Sequence, residues 1–176
     1  MIDKERVEIL INDIEYLKYE AQSITQVIES VPYSEKPLDG TSILEIFLTI
    51  DSIQAKLLDI FSQIPLKGNK VEIEEQSLFK KVEIESDLLK EIHFSEVAKD
   101  IENNRVDLCS KILNYSPEFL EVQFNLDSKQ ITIFDLLTNM VRKERALLKE
   151  VADLVLTFQT DKQFQREIAG RNVKMS

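Results

Sequence analysis

Apolar positions recur along this chain at alternating spacings of three and four, the period of a helix that buries one stripe. The first such stripe is Val7, Leu10, Ile14, Leu17, Ala21, Ile24, Ile28 and Val31. It predicts a helix from Asp3 to Val31, stopped at Pro32 because the residue before a proline is driven out of the helical region. The second runs through Ile43, Ile46, Ile50, Ile53, Leu57, Ile60 and Ile64 and is expected to end at Pro65. Its start carries Ser42 and Glu45, the spacing of a capping box in which each side chain satisfies a backbone donor. A third stripe, Val97, Ile101, Leu108, Ile112 and Tyr115, predicts a helix opened by Ser95 as N-cap. The fourth is the longest: Ile133, Leu137, Met140, Glu144, Leu147, Val151, Leu154 and Phe158, behind a capping pair of Thr132 and Asp135.

The intervals between stripes read differently. Residues 66 to 92 are charged and partly alternating, which predicts an extended excursion with a short turn. Ser116 and Pro117 suit the cap and first position of another short turn. Val122, Phe124 and Leu126 alternate, as in a brief strand laid back over the bundle. The tail from Thr160 to Ser176 is expected to add a short helix around Phe164 and Ile168. The result is an all-α, four-helix bundle over a single domain, residues 1 to 176, with a long irregular connection between helices two and three and a short C-terminal extension.

Composition narrows what such a bundle does. There are 22 Lys and Arg against 32 Asp and Glu, a net charge of -10. An acidic surface repels phosphate backbones and anionic lipid, and no basic run offsets it, so neither nucleic acid nor membrane is an expected partner. No apolar run approaches the roughly 20 residues a bilayer requires. The charged N-terminus does not read as a signal peptide, and one cysteine cannot make an internal disulfide; a cytoplasmic protein is expected. His93 and Cys109 stand alone in their kinds, which removes multi-imidazole and multi-thiol metal sites. His93 reads as a surface or structural histidine, and Cys109 as a small core residue.

Two segments bring a resemblance. LDGTSILEIFLTIDSIQAKLL, residues 38 to 58, is similar to the second-helix segment of the DinB-like (DinB/YfiT-like) superfamily. There a Trp-Ser pair opens the helix, a Glu follows three residues after the Ser, and a metal-binding His comes four residues later. ITIFDLLTNMVRKERALLKEVADL, residues 131 to 154, resembles the last core helix, with its His-Glu-x-x-His type pattern. The order of elements and the overall length match as well. Ser42, Glu45 and Glu144 agree with the pattern, while Thr41 stands at the Trp position. Thr49, Lys143 and Leu147 stand at the three His positions. The nickel or zinc site, and the metal-activated thiol transfer that goes with it, are therefore not implied here, and no cofactor is expected. Homodimers, common in relatives of this shape, are.

Glu144 interrupts an apolar seam, and a buried carboxylate needs a partner or a proton. Its helix neighbours Lys143 and Arg145 do not share its face, so a partner must come from another helix. Two readings of the residue stay open. In one it belongs to a residual polar pocket with Thr49, Lys143 and Leu147 around it, and Asp51 within reach. In the other it is a rim carboxylate reaching water past Met140 and Leu147. Three functions follow: a metal-free binding or interaction protein; a metal-free enzyme with Glu144 as base and Lys143 or Thr49 orienting a small substrate; or a regulatory protein whose acidic surface meets a basic target.

Overall fold

The computed structural model describes residues 4–37, 40–67, 72–115 and 117–174. In chain order the elements are α1 (Lys4–Ser23), α2 (Thr25–Glu29), α3 (Ile43–Lys67), β1 (Glu72–Ile73), α4 (Glu75–Leu78), α5 (Ser86–Leu89), α6 (Phe94–Asn114), α7 (Pro117–Leu120), β2 (Gln123–Leu126), β3 (Lys129–Thr132) and α8 (Ile133–Lys174). The four long helices α1, α3, α6 and α8 form the bundle. Both α1 and α3 pack chiefly on α6 and α8, so α6 and α8 take opposite corners of a square. The side chains of Leu17, Ala21, Ile64 and Ile168, and the residues Asp3 and Ser116, lie outside what the structure describes.

Both capping motifs form. Ser42 donates its backbone N–H (2.9 Å) and its hydroxyl (3.0 Å) to Glu45 Oε2, and the Glu45 N–H donates to Ser42 Oγ at 3.2 Å. At the start of α8, the Thr132 hydroxyl donates to Asp135 Oδ2 at 2.7 Å and accepts the Asp135 N–H at 3.1 Å. Each pair satisfies donors that a helix start leaves unpaired.

Several boundaries differ from the expectation. The first stripe is broken at Ile24 into α1 and α2. Ser23 and Thr25 flank the break, and short hydroxyl side chains compete with the helical ladder for backbone groups. The second helix passes Pro65 by two residues, to Lys67, a difference of the size that fraying ends produce. His93, not Ser95, is the N-cap of α6, and its side chain makes no cap hydrogen bond. The helix starts earlier because Phe94 is drawn into the core, edge-on to Phe47 with centroids 4.7 Å apart. The tail does not form a separate helix: α8 is one helix of 42 residues, roughly 63 Å at the standard rise. No Gly or Pro stands between Ile133 and Ala169 to stop it.

The excursion between α3 and α6 holds β1, the single turns α4 and α5, and extended chain between them. Its first part is fastened to a hairpin that the sequence only half announced. Strand β2 pairs antiparallel with β3, and β1 joins β2 in parallel through Glu72↔Asn125 and Ile73↔Leu126. The hairpin turn is Asp127-Ser128, both residues at positive φ (47° and 65°). Consecutive left-handed residues match the right-handed twist of the strands. Asp127 also accepts the Glu75 N–H through Oδ1 at 3.1 Å, tying α4 to the turn.

Two apolar clusters fill the bundle. One gathers Leu10, Ile14, Leu57, Leu108, Leu137 and Met140 with the hairpin residues Phe124 and Leu126. The other gathers Ile28, Ile43, Phe47, Phe94, Ile101 and Val151. His93 is exposed, and Cys109 is buried in the first cluster. Among the described residues no helix is long and apolar enough to cross a membrane.

Ser128 offers a direct check on the turn. A non-glycine residue in the left-handed region costs about 1–2 kcal/mol, partly offset in glycine by unfolded-chain entropy. Ser128→Gly is expected to stabilise the protein by about 0.5–1 kcal/mol, a rise of roughly 1–4 °C in the thermal midpoint. Ser128→Val should lower the midpoint.

Candidate functional site

Between the two apolar clusters lies a polar layer, and each long helix contributes one group to it. Glu144 of α8 is fully buried. Its Oε2 accepts from Arg105 Nη2 of α6 at 2.5 Å, and its Oε1 accepts from Gln54 Nε2 of α3 at 2.9 Å. Arg105, 1% exposed, donates a second bond from Nη1 to the Ile14 carbonyl of α1 at 3.2 Å. The arrangement follows from helix register. Arg105 sits four residues after Ile101 and three before Leu108, on the buried stripe of α6. Gln54 follows Ile53 and sits four residues after Ile50. Because α6 and α8 face each other across the square, an arginine on one reaches a glutamate on the other through the centre.

Energetically this is a closed pair. Leaving a buried charge unpaired costs several kcal/mol, and the ion pair here has a charge-assisted hydrogen bond and an amide to help it. Gln54 Oε1 and Arg105 Nε have no hydrogen-bond partner among the described residues, so the layer is not fully satisfied.

A second buried polar group lies at the start of α3. Glu45, 1% exposed, accepts from Lys36 Nζ at 2.7 Å and from the Ile84 N–H at 2.9 Å through Oε1, besides the capping bonds to Oε2. One turn on, Thr49 donates its hydroxyl to the Glu45 carbonyl at 2.7 Å and accepts the Val82 N–H at 2.9 Å. The extended chain around Val82 and Ile84 is thus strapped onto α3 by two buried side chains. Burial alone would raise the Glu45 carboxyl, but the Lys36 ammonium and the donors from Ile84 and Ser42 outweigh it and hold it below the ordinary value. Asp51 goes the other way: burial and the nearby Asp100 carboxylate raise it, against a hydrogen bond from Asn104 Nδ2 at 2.8 Å.

The sequence-derived pocket candidates are therefore distributed. Glu144 finds its partner on another helix, as its seam position requires, and it does not sit at a rim. Among the described residues no hydrogen bond or ion pair joins it to Thr49, Lys143 or Asp51. Lys143 is exposed and stands 5.6 Å from the centre of the Phe79 ring, lining a groove of about 480 Å3 with Lys80 and Lys81. Leu147 is partly buried and packs against both apolar clusters. Sequence reasoning missed Arg105 and Gln54, although Arg105 occupies the empty register between Ile101 and Leu108.

The three positions at which the resemblance places metal-ligating histidines do not fit a divalent cation. Thr49 has its hydroxyl committed on both sides, Lys143 ends in a group of N–H donors that repels a cation, and Leu147 has no ligating atom. Among the described residues no three His, Cys, Asp or Glu side chains are grouped so as to hold a metal ion.

No family model and no curated protein matches the chain. A solved structure does. The chain is similar to YfiT from Bacillus subtilis, described as a probable metal-dependent hydrolase with an unusual four-helix bundle topology. The TM-score is 0.64 at 11% identity, over 87% of this chain and 89% of that one. The chain thus shares the four-helix bundle fold of that structure.

The two shifted carboxyls predict opposite acid responses. Glu45 is depressed on folding, so its contribution is present above the unfolded value of about 4.3 and is lost as pH falls through its lower folded value. Glu45→Gln should cost about 1.5–3 kcal/mol in urea unfolding at pH 7, with the gap to wild type closing as the medium is acidified. Asp51 is raised on folding, so its penalty is present above the folded value and fades on acidification. Asp51→Asn should stabilise the protein at pH 7, and that gain should vanish below the unfolded aspartate value of about 3.9.

Proposed function

We propose that this chain is a cytoplasmic DinB/YfiT-like bundle without a resident metal, and that it acts by binding. The observation that carries the reading is how the polar atoms of the family's site positions are used. Glu144, at the acidic position, is committed to Arg105 and Gln54; Thr49, at a ligand position, is committed to the Val82 strap. Atoms held in internal hydrogen bonds are not available to a cation or a substrate without breaking the fold locally. The neighbour's metal-dependent hydrolase description therefore does not carry over.

Pairing of two copies along α8 belongs to the same reading. Leu156 is 63% exposed, Phe164 61% and Val27 41%. Val27, Ala152 and Leu156 line an apolar groove of about 330 Å3 between α2 and α8. From Gln159 to Arg166 every residue of α8 is exposed, so this stretch runs beyond the packing that half-buries Phe158. A second copy would remove that apolar surface from water. Cys109 is buried and is the one cysteine of the sequence, so it makes no internal disulfide, in keeping with a reducing compartment.

The rival reading is a metal-free enzyme. What favours it is the groove beside Lys143, where Phe79, Lys80 and Lys81 give an anionic substrate both a ring and cations to meet. Glu144 as its base would first have to part from Arg105.

Two measurements test the proposal. After incubation with excess nickel or zinc and desalting, metal content should stay far below one ion per chain; a stoichiometric, tightly held ion would overturn it. By light scattering the protein should be a dimer, and Leu156→Glu with Phe164→Glu should yield a folded monomer. A wild-type monomer would remove the pairing.

A further inference from the structure

Within the polar layer the internal hydrogen bonds leave over one acceptor, Gln54 Oε1, and one donor, Arg105 Nε. Gln54 is 0% exposed and Arg105 1%, so neither atom meets bulk solvent. A buried polar atom without a partner carries the full cost of its desolvation, and native interiors rarely leave that cost standing.

Both atoms are held where they are by bonds already made. The Glu144 carboxylate only accepts, so the Gln54 amide must turn its NH2 toward it, which leaves the carbonyl oxygen over. Arg105 spends Nη1 on the Ile14 carbonyl and Nη2 on Glu144, which leaves Nε–H over. Each leftover atom thus lies across a single carbon from a nitrogen that grips the same carboxylate. The two also belong to helices that pack directly on each other, α3 and α6. At this level the side chains of the two helices already meet, because Asn104 Nδ2 donates to Asp51 Oδ1 at 2.8 Å.

The types of the leftover atoms select what fits between them. A metal ion needs acceptors and would face the Arg105 guanidinium. An anion needs donors and would face the Glu144 carboxylate. One donor and one acceptor, beside two charges that cancel, suit a neutral molecule that both gives and takes a hydrogen bond. Neither the α2–α8 groove nor the Lys143 groove is lined by Gln54, Arg105 or Glu144, so the molecule is enclosed, and a close-packed interior keeps it small.

We propose that the polar layer binds one internal water, which accepts the Arg105 Nε–H and donates to Gln54 Oε1. Its second proton has the Glu144 carboxylate to go to, whose oxygens keep lone pairs after the bonds from Gln54 and Arg105. About three hydrogen bonds is the usual coordination of a buried water. Within the layer this water links α3 to α6 directly, where the protein's own bonds run through Glu144 of α8. The site requires neither a second copy nor an external ligand, so it stands apart from the proposed binding role.

A high-resolution crystal structure of the whole chain should show one water within hydrogen-bond distance of both atoms. In solution, the Arg105 Nε–H resonance should show cross-relaxation with water of the sign that a long-lived bound molecule gives. Gln54→Met keeps the length of the side chain and removes the acceptor. By oxygen-17 relaxation dispersion it should lose one long-lived water relative to wild type, whereas Gln130→Met, exposed on β3, should lose none. Should Gln54→Met fail to fold, the crystal and the cross-relaxation of the wild-type protein decide alone. The proposal is overturned if neither atom has a water, if each has its own with no bridge, if either atom bonds a protein group instead, or if folded Gln54→Met keeps every long-lived water of the wild type.

Discussion

Arg105 can be buried in the middle of this bundle only because Glu144 is buried opposite it. An isolated guanidinium cannot be neutralised by losing its proton, so its burial demands a fixed anion and further acceptors. Glu144 and the Ile14 carbonyl supply them, and Gln54 completes the carboxylate. The requirement couples all four long helices at one level. Sliding any of them by a turn would leave a charge or an amide facing leucine and isoleucine. The two apolar clusters on either side supply the hydrophobic stabilisation, but either could tolerate some slippage between similar side chains. The polar layer between them cannot, and this gives the bundle its register.

A second constraint acts at the surface end of α3. Glu45 begins as the partner in a capping box and ends as the anchor of the irregular connection, through Lys36 and the Ile84 N–H. Thr49 holds the same connection one turn further along. A long connection with little regular structure loses entropy on ordering, and here buried acceptors and the small sheet with the Asp127 turn hold it in place. In consequence the polar atoms near the resemblance's metal positions serve the fold. That is the physical basis of the proposed binding role.

Much of this was legible in the residues. Strict three-four spacing located the four long helices, and Ser42–Glu45 and Thr132–Asp135 marked two helix starts. Glu144 stood out because a charged residue occupied an apolar register, and the need for a partner on another helix followed from helix geometry. Arg105 escaped notice because the stripe of α6 was read through its apolar members, from Ile101 directly to Leu108. An arginine's long stem can snorkel to water, so sequence alone does not announce that it points inward. Strand β3 was hidden because its turn, Asp127-Ser128, has no glycine. The continuity of α8 was hidden because its seam fades after Phe158, where solvent replaces packing and periodicity carries no information.

The central claim is that Glu144 and Arg105 are a structural pair, and a double-mutant cycle of unfolding free energies measures that most directly. Glu144→Leu alone should destabilise the protein by about 3–5 kcal/mol, because it strands a buried guanidinium. Adding Arg105→Met should recover most of that loss, giving a large coupling energy between the two sites. If Glu144→Leu alone leaves stability unchanged or raised, and the two substitutions simply add, the pair does not organise the bundle and the account is contradicted.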